Sequence, residues 1–280
     1  MISTKKILKL KKEGTKISCL TAYDFSTAKF ADEEGIDLIL VGDSLGQVIL
    51  GYDSTTKVTM DDMKVFSKAV LNGAKNALVV VDMPFLSYHT GIYEAVKNAG
   101  EFIRMGAGAV KIEGGSDYII DVIKALVEAG IPVMGHLGFT PQYINTIGGN
   151  FVQGKNLDNT LKILEQAKKI QNAGAFSIVL ELIPEICAKY ITENLEIPTV
   201  GIGAGKYTDG QILVINDIIG KFDGFSPKFA RKYADAKTII KDTVKRYIKD
   251  VKEMNFPDKD ECFKMSEEEE AKFESYIQKK

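Results

Sequence analysis

A closed (β/α)8 barrel is the fold this sequence predicts, and three observations predict it. Between Ile17 and Asn216, short runs rich in Val, Ile and Leu alternate with longer segments of helical period. The runs are apolar almost throughout instead of alternating, as expected where both faces of a parallel sheet are covered. The same punctuation closes one helix after another just before the next run: Gly106–Ala109, Ala129-Gly130 ahead of Ile131-Pro132, and Ala173-Gly174-Ala175. Such strand–helix alternation over roughly 200 residues is the pattern of an α/β TIM barrel.

Taken in order, the elements begin with a Lys-rich start (Lys5, Lys6, Lys9, Lys11, Lys12). A polar Glu13-Gly-Thr-Lys16 follows where a signal peptide would have its apolar core, so the start reads as a surface helix with Ile7, Leu8 and Leu10 turned inward. Strands are predicted at Ile17–Ala22, Leu38–Val41, Leu78–Val81, Ala109–Ile112, Pro132–Gly135, Ser177–Leu180, Thr199–Ile202 and Ile212–Ile215. Helices are predicted near Ser26–Glu34, Met60–Gly73, Ile92–Met105, Tyr118–Glu128, Leu157–Ala173 and Glu185–Asn194. After Gly224 only helices remain, at Tyr233–Val251 and Ser266–Gln278, the second with Ser266 and Glu269 spaced for a capping box. Residues 1–224 are therefore assigned to the barrel with its N-terminal helix. Residues 225–280 are read as a C-terminal helical extension packed on the barrel or at an oligomer interface, since ~55 helical residues are too few for an independent domain.

The 280 residues are 45% apolar and 26% charged, as in a globular chain. With 36 Lys plus Arg against 38 Asp plus Glu the net charge is −2, so no positive field exists to gather nucleic acid or an anionic membrane. Only Arg104, Arg231 and Arg246 supply guanidinium groups, which leaves anions to Lys and backbone amides. Cys19, Cys187 and Cys262 fit neither a disulfide framework nor a zinc site, and point to a reducing cytoplasm. The longest apolar runs, such as Ala77–Val81, fall far short of the ~20 residues that span a bilayer.

Function is indicated by where polar residues fall. Asp43 and Ser44 follow the second strand, Asp82 ends the third, Lys111 and Glu113 close the fourth, His136 follows the fifth and Glu181 ends the sixth. All lie at carboxyl ends, the face on which barrel active sites are built. Asp43, Asp82 and Glu113 come from neighbouring strands, and carboxylates brought that close need a counter-ion or a proton. Oxygen ligands with no cysteine or cluster of histidines favour a hard cation, Mg²⁺ first. Glu181, at the end of an apolar run, is a candidate general base. His136 either orients substrate and an oxyanion or is a hydrogen-bonded structural histidine. Gly201–Gly205 follows the seventh strand without the Rossmann spacing and reads as a tight loop that lets a ligand approach backbone.

At these residues the chain resembles a known family. Leu40-Val-Gly-Asp-Ser-Leu-Gly46, Asp82-Met-Pro-Phe85, Val110-Lys-Ile-Glu-Gly-Gly115, Gly135-His-Leu-Gly-Phe-Thr-Pro-Gln142, Val152-Gln-Gly-Lys155, Val179-Leu-Glu181 and Gly201–Gly205 with Asp209-Gly-Gln-Ile-Leu213 closely resemble ketopantoate hydroxymethyltransferase, in one register from Ser3 to Pro257. The resemblance implies a (β/α)8 fold that binds Mg²⁺ or a similar divalent cation. It also implies transfer of a one-carbon unit from 5,10-methylenetetrahydrofolate to 3-methyl-2-oxobutanoate on the way to pantothenate and coenzyme A. It implies metal ligation by Asp43, Asp82 and Glu113, contacts to the 2-oxo acid from Asp43, Ser44, Asp82 and Lys111, and Glu181 as proton acceptor. Ring-based homo-oligomers, a decamer among them, are implied too. Two departures are Phe66, where members commonly have His, and a highly charged tail after Pro257.

Two other readings compete. One is a Mg²⁺-dependent lyase or mutase of 2-oxo acids related to isocitrate lyase; the mobile, usually cysteine-bearing loop of those enzymes has only the short, cysteine-free Gly114–Tyr118 as its counterpart here. The other is a non-catalytic metabolite-binding barrel, which would be expected to lack at least one of the carboxylates.

Overall fold

The computed structural model describes residues 2–221, 224 and 227–279. Its elements run α1 (Thr4–Lys12), β1 (Ile17–Thr21), α2 (Phe25–Glu33), β2 (Leu38–Val41), α3 (Leu45–Val48), α4 (Met60–Gly73), β3 (Leu78–Asp82), α5 (Ile92–Arg104), β4 (Ala109–Glu113), α6 (Asp117–Glu128), β5 (Val133–Gly138), α7 (Ile144–Ile147), α8 (Leu157–Asn172), β6 (Ser177–Glu181), α9 (Glu185–Glu193), β7 (Thr199–Ile202), β8 (Gly210–Leu213), α10 (Ile215–Ile218), α11 (Ala236–Lys252) and α12 (Glu267–Ile277). The eight strands pair in sequence order, all parallel, and β8 returns to β1, so the sheet closes into the predicted TIM barrel.

The apolar runs divide by pleat. Along β4, Ala109 belongs to an inner core with Leu38, Leu78, Val80, Met134 and Val179, while Val110 and Ile112 pack outward under the helices. Ile7 and Leu10 of α1 join that inner core beside the strand starts Ile17, Leu38 and Leu78, so the amphipathic start predicted from sequence plugs the amino end of the barrel. Lys11 fastens it: its Nζ lies 2.8 Å from Asp209 Oδ2, which also accepts from the Thr199 backbone N–H at 2.9 Å.

Two strands depart from expectation by more than one residue. β5 runs on to Gly138, so His136 lies within the strand, not after it. β8 occupies Gly210–Leu213, earlier than predicted, and Ile215 starts α10. The apolar run Ile212–Ile215 straddles a strand end and a helix start, which hydrophobic period alone does not separate. The boundary expected at 224/225 falls where Phe225 lies outside the described residues. The chain divides into compact units at Met1–Tyr233 and Ala234–Lys280. In the second unit no described residue of α11 is buried, and Ile239, Ile240, Val244, Ile248 and Val251 form an exposed apolar stripe, the kind of surface the expected homo-oligomer would cover. Of the expected capping box on α12, one half forms, Ser266 Oγ accepting from the Glu269 N–H. Among the described residues no helix is long and apolar enough to cross a membrane.

A buried carboxylate ties α2 of the first βα unit to the turn between α4 and β3. Asp32 in α2 accepts hydrogen bonds from the backbone N–H groups of Lys75, Asn76 and Ala77, at 2.7–3.1 Å by its nearest oxygens, and from Asn76 Nδ2. Burial opposes its ionisation, but these donors outweigh burial and hold the carboxyl below its ordinary range. We expect Asp32→Ala to cost about 2 kcal/mol, because it leaves the buried Ala77 amide and the part-buried amides of Lys75 and Asn76 without their acceptor. The folded-state pKa is depressed, so this stabilisation is present above the unfolded value of about 4 and is lost as pH falls through the lower folded value. Urea denaturation at pH 7 and at pH 3 checks it: the gap between wild type and variant should narrow at the acid end, and equal gaps would contradict the assignment.

Candidate active site

Strand register builds the site. Asp82 and Lys111 are paired neighbours on β3 and β4, and Glu113 and His136 are paired on β4 and β5. Lys111 and Glu113 are two residues apart, so both follow Ala109 onto the interior side of the pleat. Glu181 ends β6 opposite Gly138. Asp43 and Ser44 sit in the turn from β2 into α3. All seven sequence-predicted residues line one cavity of about 880 Å³ at the carboxyl end of the barrel. The Gly201–Gly205 loop contributes less than expected. Ile202 faces the cavity, whereas Gly205 packs on the Glu185 side chain, whose Oε1 accepts from the Lys206 N–H.

Lys111 is the centre of charge. Its Nζ lies 2.6 Å from Asp82 Oδ1 and 3.8 Å from Glu113 Oε1, with all three side chains 5% exposed or less. The Asp43 N–H donates to Asp82 Oδ2 at 3.0 Å. Burial alone would favour neutral Lys111, but Asp82, Glu113 and Asp43 outweigh it and raise its pKa. Asp43 fares worst: burial and then the charges of Asp82 and Glu113 push its carboxyl well above the usual range. Asp82 is raised as well, chiefly by burial. Glu113 is lowered, because His136, Lys111 and the Gln142 N–H together overcome burial.

His136 bridges two acids. Nδ1 lies 3.3 Å from Glu113 Oε1 and Nε2 3.2 Å from Glu181 Oε2, as ion-pair contacts out of hydrogen-bond alignment. Burial and Lys111 oppose its protonation, yet Glu113 and Glu181 push its pKa up to about 9. The ring is then an imidazolium at neutral pH, a cation between two carboxylates and not a base. Glu181 is held from the other side by backbone: the Phe139 N–H donates to its carbonyl at 2.8 Å. Gly138, at φ 94°, is needed there because a Cβ would run into that carbonyl.

Three functional residues escaped sequence reasoning. Gln142 Nε2 donates to Asp43 Oδ2 at 2.8 Å and to the Met83 carbonyl at 2.9 Å, its backbone N–H donates to Glu113 Oε2 at 3.0 Å, and its Oε1 accepts from Tyr88 Oη at 2.8 Å. It is 3% exposed and satisfies every group that it buries. Tyr88 in turn accepts from the Glu113 N–H. Tyr23 Oη lies 2.8 Å from Ser44 Oγ. The signal for Gln142 was its place in the motif Gly135–Gln142; nothing marked Tyr88 or Tyr23. His89, outside the cavity lining, contacts Tyr143 Oη at 3.0 Å.

The donor set suits a hard cation. Three buried carboxylates and the nearby Glu181 face one ammonium and one imidazolium, so acids outnumber cations at the cavity wall. Among the described residues, no three His, Cys, Asp or Glu side chains form a ready-made metal cage. Mg²⁺ requires none, since it is commonly held by one or two carboxylates with water and substrate oxygens completing the shell.

A closed parallel barrel with buried acids, a lysine and a histidine gathered at its carboxyl mouth defines a TIM-barrel enzyme. The family model for ketopantoate hydroxymethyltransferase matches residues 1–259, and the chain belongs to that family. The 3-methyl-2-oxobutanoate hydroxymethyltransferase of Syntrophomonas wolfei is 54% identical over 259 residues, 92% of this chain and 94% of that one. Its counterpart from Clostridium kluyveri is 57% identical over 258 residues, 92% of each chain. Among solved structures, phosphonopyruvate hydrolase superposes with a TM-score of 0.62 at 11% identity, covering 99% of this chain and 97% of that one. A 2,3-dimethylmalate lyase of the PEP mutase/isocitrate lyase superfamily gives 0.59 at 15%, over 99% and 100%. At such identities these two share the fold alone.

Gln142→Leu should fold, since the site is cavity-lined and the side chains are of similar volume, but it strips Asp43 of its amide donor. We expect kcat/KM to fall about 10- to 100-fold, the worth of one hydrogen bond to a charged group. Steady-state kinetics with a circular-dichroism check of folding measures this; an unchanged kcat/KM would remove Gln142 from the account.

Proposed function

We propose that the chain transfers a one-carbon unit from 5,10-methylenetetrahydrofolate to 3-methyl-2-oxobutanoate, giving 2-dehydropantoate for pantothenate and coenzyme A synthesis in a reducing cytoplasm. The observation that carries the chemistry is the contrast between Glu181 and the other acids. Its side chain is 16% exposed and open to the cavity, while those of Asp82 and Glu113 are 3% and 1% exposed and locked to Lys111 and His136. Among the acids at the strand ends, it is the one that a substrate C–H bond can reach.

Glu181 takes the C3 proton, and the electron pair left behind is delocalised onto the keto oxygen as an enolate. His136, an imidazolium held between Glu113 and Glu181, orients the base and offers a donor to developing negative charge. Lys111, with Asp82 occupying one of its protons, offsets the substrate carboxylate, and Ser44, steadied by Tyr23, donates to a substrate oxygen. The folate-derived carbon first loses both nitrogens: its bond to N10 breaks to give the N5 iminium, water adds to that carbon, and its bond to N5 breaks, so tetrahydrofolate leaves and a formaldehyde-level carbon carrying the water's oxygen remains. C3 then bonds to this carbon, and the proton taken by Glu181 returns to its oxygen to complete the hydroxyl. Asp43, Asp82 and Glu113 are the residues that would hold a divalent cation, which when bound supplies Lewis-acid polarisation of the 2-oxo acid. The 52–57% identity to enzymes named for this activity supports the reading over a lyase or mutase, represented among the solved structures by a 2,3-dimethylmalate lyase at 15–17%.

The test separates enolisation from transfer. With Mg²⁺ and 3-methyl-2-oxobutanoate in D₂O, the wild-type protein should exchange the C3 proton without folate. Glu181→Gln keeps size but cannot accept a proton, so exchange followed by NMR should fall ~10²-fold or more while calorimetry still detects the 2-oxo acid. Retained exchange would move the base elsewhere; lost binding would make Glu181 structural.

A further inference from the structure

The cavity is larger than a 2-oxo acid requires. Its volume of about 880 Å³ is that of a pocket for a drug-sized ligand, whereas 3-methyl-2-oxobutanoate has eight non-hydrogen atoms. Beyond the acids at the strand ends, Asp53 and Asp217 also line it. Asp53 is exposed and pairs with Lys57 at 2.8 Å. Asp217 differs. It lies in α10, directly after β8, is half-buried, and its carboxylate forms no hydrogen bond or ion pair with any described residue. Burial holds that carboxyl above its ordinary range, with Lys232 opposing.

A carboxylate taken partly out of water and given no donor costs stability. In this cavity it also repels an anionic 2-oxo acid, so the first substrate gives no reason for it. A neutral ligand edge with N–H donors would satisfy it. The 2-amino-4-oxopyrimidine half of a pterin presents such an edge: its ring N3–H and 2-amino group lie side by side at the spacing of the two oxygens of a carboxylate, the match that makes fork-shaped donors pair with acids. Phe229, half-buried, lines the same cavity and offers a ring to stack on, and exposed Lys228 offers a cation to the folate glutamate tail.

We propose that Asp217 is the pterin-recognising residue of the folate subsite, accepting from N3–H and the 2-amino group together. The assignment rests on the folate reading above. It places the second substrate on the β8 side of the cavity, across from the acids of β3 and β4, so that the methylene carbon comes to the enolate from the open end.

Fluorescence titration with tetrahydrofolate tests this, with thermal unfolding as the folding check. Wild type should bind. Asp217→Asn presents an N–H group to the pterin donors and should bind about 10- to 100-fold more weakly, as for loss of hydrogen bonds to a charged acceptor. A ligand-side arm needs no mutation: a tetrahydrofolate analogue lacking the 2-amino group should bind wild type more weakly by a similar factor, and the two losses should not add. If wild type binds tetrahydrofolate and Asp217→Asn binds it equally well, the assignment is overturned and the folate reading stands. Equal wild-type affinity for the analogue overturns it even if the variant fails to fold. Wild type with no affinity for tetrahydrofolate overturns the folate reading, and this inference with it.

Discussion

Burying several carboxylates around one ammonium group is the constraint on which the mouth of this barrel depends. Lys111 Nζ sits against Asp82 and within 3.8 Å of Glu113, deep enough that water does little of the screening. Buried ion pairs of this kind rarely add stability, because desolvation consumes the Coulomb gain. The fold supplies that stability elsewhere. Under the polar layer lie Val80, Ala109, Met134 and Val179, and below them the strand starts with Ile7 and Leu10 of α1 closing the end. A second, larger core packs the outward faces of the strands against the helices. The polar site is thus a thin layer held in shape by apolar layers that do no chemistry.

Within that layer the acids are differentiated by their partners. Glu113 is held ionised by His136, Lys111 and the Gln142 N–H. Asp43, with two acids near it and an amide for its principal donor, is the group most in want of positive charge. Glu181 has one cationic neighbour and an open side. The same side-chain type therefore serves as anchor, as candidate cation ligand and as candidate base, according to what surrounds it.

Most of the fold was legible because its signals are local. Parallel strands covered on both faces are written as apolar runs, and αβ turns are written as Gly-Ala pairs. All eight strands and the long barrel helices fall within a few residues of their predicted bounds; β8 lies two residues early because Ile212–Ile215 belongs half to a strand and half to a helix. The seven site residues were legible because strand ends are easy to locate and charges there are conspicuous. Gln142 and Tyr88 were not. Their importance lies in hydrogen bonds to Asp43 and Glu113 from distant parts of the chain, and an amide or a phenol carries no mark of such a partner. Asp217 was hidden for a related reason: it lies in a short helix past the strand end, and only the closure of β8 on β1 brings that helix to the cavity wall.

The acids at the barrel mouth outnumber their cationic partners, and we propose that a divalent cation would make up the deficit. Electron paramagnetic resonance of Mn²⁺, titrated into the protein with 3-methyl-2-oxobutanoate present, measures this directly. Saturable binding of one ion per chain is expected, weakened at least ~10-fold in Asp82→Asn. Binding of equal strength in wild type and Asp82→Asn, or no saturable binding in either, would contradict it.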